Sequence, residues 1–202
     1  MLKTCVALII FVQYYAIMAL KAFLDARNLE LASKISKGYS AEVFLVCNKH
    51  GENFALKVEK QKSRRIEMVQ KEVQNLRIAN SVGVGPKLLD FDLQARCILM
   101  EFVDGKPFSK WLFEDAASKR QLKRFLKELF LQAKKLDRTG LSHGQLGGKG
   151  ANILVRNCLP VIIDFEKASS NRKSKNVSQL QGNFLYSPHS RIAKRIKEIL
   201  QN

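Results

Sequence analysis

The sequence predicts an α+β protein of two lobes, and the order of strand-like and helical segments supports this. Five strand-like runs, rich in β-branched and aromatic residues, occupy LELASKI (29–35), EVFLVCN (42–48), NFALKVE (53–59), KLLDFDL (87–93) and ARCILMEFV (95–103). A segment with helical periodicity separates the third run from the fourth, and mainly helical segments follow the fifth. This order predicts a five-stranded antiparallel sheet in the first lobe and a reduced, helical second lobe.

Each element has its own local signal. The turn Lys49–Glu52 contains a glycine and joins the second and third runs as a hairpin. The segment 63–80 repeats apolar residues at helical spacing, with Ser63 as a cap, and Gly85-Pro86 ends it. The second lobe is predicted to contain an amphipathic, lysine-rich helical stretch at 108–136, a hairpin at 141–166, a polar and basic segment at 171–187 and an amphipathic helix at 190–201. The predicted lobes are residues 18–103 and 104–202.

Residues 1–17 are predicted to be an extension, because the run Cys5–Leu20 is almost wholly apolar. Three interpretations stay open: translation begins at Met18, the segment is a membrane anchor, or it is a packed helix. The 16 residues of the run would form a helix of about 24 Å, shorter than a hydrocarbon core of roughly 30 Å. The length therefore argues against a membrane span.

Composition indicates an ordinary globular protein with an unusual charge. The formal net charge is +17, from 35 Lys and Arg against 18 Asp and Glu. Such a charge favours a polyanionic partner such as RNA or a ribonucleoprotein, although solvated surface lysines are the alternative. The four cysteines form no C-x-x-C pair, which argues against a zinc site or a disulfide scaffold and favours the reducing cytoplasm.

Two features of the first lobe point to phosphate chemistry. Gly38 in the turn S-K-G-Y-S-A-E-V would let backbone amides approach phosphates, and Val43 could pack on a base. Lys57, in the apolar strand A-L-K, needs a partner because burial of a lone ammonium is costly. Glu72, 15 residues further on, is predicted to pair with it and hold it against phosphates. A surface strand lysine is the alternative.

Two further features lie at strand ends. The strand Cys97–Val103 runs into a turn, where unpaired backbone groups could bond an adenine edge. Asn152 in G-A-N-I-L-V and Asp164 in V-I-I-D-F-E flank a hairpin, 12 residues apart. An amide and a carboxylate in this arrangement suit Mg²⁺, which prefers oxygen ligands. A capping role for Asp164 is the alternative.

In this order the segments resemble the protein-kinase signature set. The matching positions are Gly38, Lys57, Glu72, M-E-F-V at 100–103, H-G-Q-L…N at 143–152 and D-F-E from Asp164. This set of motifs is similar to that of RIO kinases and of the small kinase of the KEOPS tRNA-modification complex. It is most similar to predicted archaeal serine/threonine kinases with a D-F-E-x-A-S segment, here D-F-E-K-A-S.

The resemblance implies an atypical serine/threonine kinase or ATPase that uses ATP and Mg²⁺ on an unknown protein substrate. It implies that Lys57 contacts the phosphates and that Glu72 orients it. It also implies that Glu101 and Val103 present backbone groups to adenine, with Met100 guarding the pocket and Ala55 among the nucleotide-binding residues. Asn152 and Asp164 would bind magnesium, and His143 would be structural.

The sequence also departs from the kinase pattern. Gln145 occupies the position of the catalytic aspartate, where an amide cannot act as a general base. Asn152 follows it by seven residues instead of the usual five, and Lys149 lies in the lengthened loop. Only 36 residues follow Glu166, without an A-P-E segment. A weak kinase, an ATPase, and a nucleotide-binding pseudokinase that docks on RNA therefore stay open, as does a small-molecule phosphotransferase.

Overall fold

The computed structural model describes residues 15–60, 67–115 and 117–201. Predictions on residues 1–14 and 61–66, including the Ser63 cap and most of the basic run at 60–65, lie outside these ranges. The described chain divides into two compact units. The first contains the residues up to Val73 together with Lys87–Phe102, and the second contains Gln74–Pro86 and the residues from Val103 onward.

The first unit is built on a five-stranded antiparallel sheet. Its order is β1-β2-β3-β5-β4, and its strands are β1 (Leu29–Lys37), β2 (Ala41–Asn48), β3 (Asn53–Glu59), β4 (Leu88–Asp92) and β5 (Cys97–Glu101). The predicted α+β class and five-stranded sheet are therefore confirmed.

A helix at residues 15–25, α1, supplies Phe23 to the apolar core of this sheet. The core also contains Val46, Leu56 and Cys97, which are fully buried. Arg27 stacks on the Phe23 ring, 3.6 Å from its centroid, and its Nε donates to Asp90 Oδ2 at 2.7 Å. The core residues therefore come from α1 and from strands across the sheet.

Helix α2 (Met68–Ser81) carries Glu72 in the first unit and Asn75 in the second. It ends as predicted at a glycine-rich turn. Gly83 and Gly85 have positive φ angles of 67° and 82°, a backbone region that glycine enters without strain.

The second unit contains a three-stranded sheet and most of the helices. The sheet order is β6-β7-β8. The elements are β6 (Lys106–Pro107), α3 (Phe108–Glu114), α4 (Lys119–Arg138), β7 (Ile153–Arg156), β8 (Leu159–Ile162), α5 (Asn176–Gln181) and α6 (Arg191–Gln201). Phe108 stacks between Phe125 and Phe184, at centroid distances of 4.8 and 5.2 Å. These aromatic rings form the centre of the unit.

The structure adds detail to two sequence predictions for this unit. The stretch 108–136 is two helices, because Ser118 starts α4 through a capping box with Gln121. The segment 171–187, predicted only as polar and basic, contains α5 and a π-helical turn (Gly182–Tyr186). Across the part of the chain that the structure describes, no helix is both long and apolar enough to span a bilayer.

Candidate active site

A buried ion pair occupies the middle of the first unit. Lys57 lies on β3 between Val43 of β2 and Ile98 of β5, which places it on an inner strand. Its Nζ lies 2.9 Å from Glu72 Oε1 and 2.7 Å from Oε2. The two side chains are only 9% and 2% exposed. Such close contact is expected for an ammonium that has been taken out of water.

The turn between β1 and β2 is closed by its own hydrogen bonds. The N–H of Gly38 donates to the C=O of Ala41 at 2.9 Å, and Lys60 Nζ donates to the C=O of Gly38. Gly38 therefore uses its own N–H within the turn. Nearby, the hydrogen bond and charge of Lys34 hold the pKa of Glu42 below its ordinary value, and Lys60 and Lys37 add to this.

The end of β5 holds the residues predicted to contact adenine. Met100 is 9% exposed and pairs with Ala55 of β3 and Leu88 of β4. The N–H of Glu101 donates to the C=O of Lys87 at 2.9 Å. Val103, which is buried, is the first residue of the second unit after this strand.

In the second unit, the β7–β8 hairpin brings the segments of Asn152 and Asp164 together. Ile153 pairs with Ile162, and the N–H of Ile163 donates to the C=O of Asn152 at 3.0 Å. Asp164 has φ 64° and ψ 73°, a left-handed conformation that is uncommon for a residue other than glycine. Asn152 Nδ2 donates to the C=O of Gln145 at 3.5 Å. The hairpin thus joins the Gln145 loop to the D-F-E segment.

His143 is fully buried and supports the same segment. Its Nε2–H donates to the C=O of Ile163 at 2.9 Å, and its ring meets Phe165 edge-on at a centroid distance of 4.9 Å. Burial lowers the pKa of His143, which the bond to Ile163 and the charge of Asp164 only partly oppose. His143 is therefore a neutral ring at neutral pH when it donates to the C=O of Ile163.

Sequence reasoning missed Asn176, the first residue of α5. It is fully buried. Its Oδ1 accepts from the N–H of His143 at 2.9 Å, and its Nδ2 donates to Leu141 O and to Asp137 Oδ1, both at 2.8 Å. No local signal distinguishes this asparagine, because its partners lie 33 to 39 residues away.

The D-F-E segment is held from two other sides. Asn75 on α2 donates through Nδ2 to the C=O groups of Phe165 at 3.1 Å and Ala168 at 2.9 Å. Arg172 donates to the C=O groups of Ser142 and Lys167. These bonds fix the backbone on both sides of Glu166.

The lengthened loop at 145–152 packs closely at its glycines. Gly150 has φ 65°, and a Cβ there would lie 2.8 Å from Cδ1 of Phe108. A Cβ on Gly147 would lie 2.5 Å from Nδ2 of Asn183. Gly148, with φ 85°, faces open space and precedes the exposed Lys149. Glycine is therefore needed for close approach at 150, where the neighbour is a buried ring, and for backbone conformation at the tip, whereas at 147 the neighbour is the end of the Asn183 side chain.

The described residues contain no group of three or more His, Cys, Asp and Glu side chains able to hold a metal. Asn152 and Asp164 offer one amide and one carboxylate, a set that suits Mg²⁺ when phosphate oxygens complete its shell.

The fold and these segments define a small, atypical protein-kinase-like protein. Residues 18–182 match the RIO domain, so the chain belongs to the RIO family of atypical kinases and ATPases. The chain is also similar to the uncharacterized protein MJ1211 of Methanocaldococcus jannaschii. The two are 33% identical over 101 residues, which cover 50% of this chain and 83% of that protein. The RIO-like resemblance inferred from the sequence is confirmed.

Proposed function

We propose that this protein is a Mg-ATP-dependent phosphotransferase that passes the γ-phosphoryl group to a serine or threonine hydroxyl of a protein, or to water. The buried contact of Lys57 with Glu72 carries the proposal. A cation and a carboxylate that are 9% and 2% exposed give little stability over a well-packed apolar pair. A role in phosphate binding accounts for keeping them.

In the first unit, Lys57 would bind the α- and β-phosphates while Glu72 holds its ammonium in place. Val43 and Ala55 would pack on the adenine ring. The C=O of Glu101 would meet the polar edge of adenine, and Met100 would limit the size of the pocket. The N–H of Val103, the first residue of the second unit after β5, would also meet that edge. Gly38 would allow close approach of the β1–β2 turn.

In the second unit, Asn152 and Asp164 would hold Mg²⁺ through their side-chain oxygens. Magnesium would neutralise the charge that develops on the phosphate oxygens during transfer. His143 is neutral and cannot supply that charge. Its contribution would be to hold Ile163, and hence the backbone beside Asp164, in position.

Gln145 accounts for the slow turnover that we expect. Its amide can orient an acceptor through hydrogen bonds but cannot take up the acceptor's proton. Removal of a positioned acid or base lowers rates by about 10²- to 10⁴-fold. Phosphoryl transfer depends mainly on positioning and electrostatics, so measurable turnover is still expected.

The test is the release of labelled phosphate from γ-labelled ATP with magnesium, alongside the intact mass of the protein. The variants are Asp164→Ala, which removes a metal ligand, and Asp104→Ala, an exposed matched control. Turnover should disappear in the first and persist in the second. Equal turnover in Asp164→Ala and the parent would disprove the proposal. The mass shows whether phosphate stays on the protein.

A second candidate is a nucleotide-binding pseudokinase that docks on RNA or a ribonucleoprotein in the cytoplasm. Gln145 and the net charge of +17 favour it. No turnover in the parent, with turnover gained in Gln145→Asp, would favour this candidate over the first. Binding to RNA should weaken steeply with salt.

A further inference from the structure

An exposed aromatic ring and a cation lie together on the second unit. Phe113 is 40% exposed near the end of α3. The guanidinium of Arg191, at the start of α6, lies 5.5 Å from the centroid of the Phe113 ring. The two residues are far apart in the sequence, so the basic segment that contains Arg191 gives no sign that an aromatic ring lies beside it.

A second exposed ring lies just before α6. Tyr186 ends the π-helical turn and is 71% exposed. Helix α6 buries Ile192, Ala193 and Ile196, and its outward face carries the exposed Arg191, Lys194 and Lys197. Because α6 packs on α3, α4 and the π-helical turn, the outward surfaces of these elements adjoin.

Helix α4 adds a cationic stripe. Six of its seven exposed basic residues lie between positions 119 and 134, and the seventh is Arg138; the six are Lys119, Arg120, Lys123, Arg124, Lys127 and Lys134. No ion pair joins any of them to another residue within the described ranges. The stripe from Lys119 to Lys134 is about 22 Å long at the helical rise. Its length and charge suit several successive phosphates.

We propose that this surface, defined by Phe113, Tyr186, Arg191 and Lys194 with the stripe of α4, binds single-stranded nucleic acid. Unstacked bases would stack on the two rings, and the lysines and arginines would contact the phosphates. A duplex keeps its base faces covered and could use only the charges. The inference rests on the RNA or ribonucleoprotein partner proposed above. It adds which surface of the protein binds that partner and that the bound nucleic acid is single-stranded.

Part of this surface lies beyond the RIO domain match. That match ends at residue 182, before Tyr186 and the whole of α6. Phe113 and the α4 stripe lie within the match, and Tyr186, Arg191 and Lys194 lie C-terminal to it.

The test measures binding of fluorescein-labelled oligouridine and oligodeoxythymidine of about 12 nucleotides by fluorescence anisotropy. A duplex of equal length and heparin serve as competitors. Phe113→Ala and Tyr186→Ala should each weaken single-strand binding about 5- to 100-fold. Leu89→Ala removes an apolar side chain on β4 of the first unit that is 46% exposed, and should bind like the parent. Preference between the two oligonucleotides distinguishes RNA from DNA.

Charge and stacking are separated by the salt series. Lys194→Gln should lower the slope of log affinity against log salt by about one unit in magnitude. Phe113→Ala should leave that slope unchanged. Both variants should keep the ATP turnover of the parent and its thermal unfolding profile, so that a loss of binding cannot arise from unfolding or from the nucleotide site.

Tighter binding of single strands than of duplex or heparin, lost in the two aromatic variants, supports the proposal. Equal binding of duplex, heparin and single strands, or undiminished binding by Phe113→Ala and Tyr186→Ala, overturns it while leaving a charge-driven polyanion partner intact. No binding of any polyanion by the folded parent overturns both. Loss of turnover in Asp164→Ala is independent of all these results.

Discussion

Removal of one partner of the Lys57–Glu72 pair should lower the free energy of unfolding more than removal of both. Glu72→Leu takes away the carboxylate within 3 Å of Lys57 Nζ, at a site where the lysine side chain is only 9% exposed. Breaking a buried ion pair this way lowers the free energy of unfolding by about 3–5 kcal/mol. Lys57→Met should have a similar effect. The double variant leaves neither charge buried and should return to within about 1 kcal/mol of the parent.

The assay is urea unfolding of the parent, the two single variants and the double variant, with Mg-ATP binding measured by calorimetry. All three variants should lose nucleotide affinity, including the stable double variant. The control is Glu42→Gln, because the Lys34–Glu42 pair lies 3.0 Å apart with side chains 46% and 23% exposed. Loss of such a surface pair should change the free energy of unfolding little. Single variants as stable as this control, or additive losses in the double variant, would refute the reasoning.

Three further outcomes concern the second unit. Asn176→Ala should lower the free energy of unfolding by about 3 kcal/mol, because buried backbone groups lose their hydrogen-bond partner. In the same urea titration, substitution of the exposed Asn171 by alanine should change it by less than about 0.5 kcal/mol. His143 has a pKa below its ordinary 6.5; the unfolded chain therefore takes up the proton first, so stability should be complete above that value and fall as pH drops below it. Thermal unfolding measured at a series of pH values on both sides of 6.5 checks this loss of stability, which should be absent in His143→Gln. Gly148→Ala should cost about 1–2 kcal/mol from its positive φ, and Gly150→Ala about 1–3 kcal/mol more from contact with a buried ring; equal losses on urea unfolding would contradict the packing described.

The sheet and its embedded lysine were predictable because their signals are local. Apolar runs separated by glycine turns predict the strands, and the costly burial of an ammonium predicts that Lys57 needs a carboxylate. The capping box of Ser118 and Gln121 was also present in the sequence and could have divided the helical stretch at 108–136.

The remaining features depend on contacts between distant residues. Asn176 meets His143 across 33 residues, and Phe113 meets Arg191 only once α3 packs on α6. A side-chain amide or an exposed ring has no periodicity that marks its partner. The chemical roles of Gln145, Asn152 and Asp164 stay predictions, because they depend on bound nucleotide and metal.

The bonds from Asn75 have a consequence for inhibitor design. Phe165 is fully buried, and its C=O and that of Ala168 both accept from the Asn75 amide. A compound that pushes this ring aside must fill the vacated apolar space, and a shift of the backbone at 165–168 would also break the two bonds to Asn75. Where that backbone shifts, purely apolar scaffolds should therefore bind more weakly than scaffolds with a primary amide that replaces the lost donors.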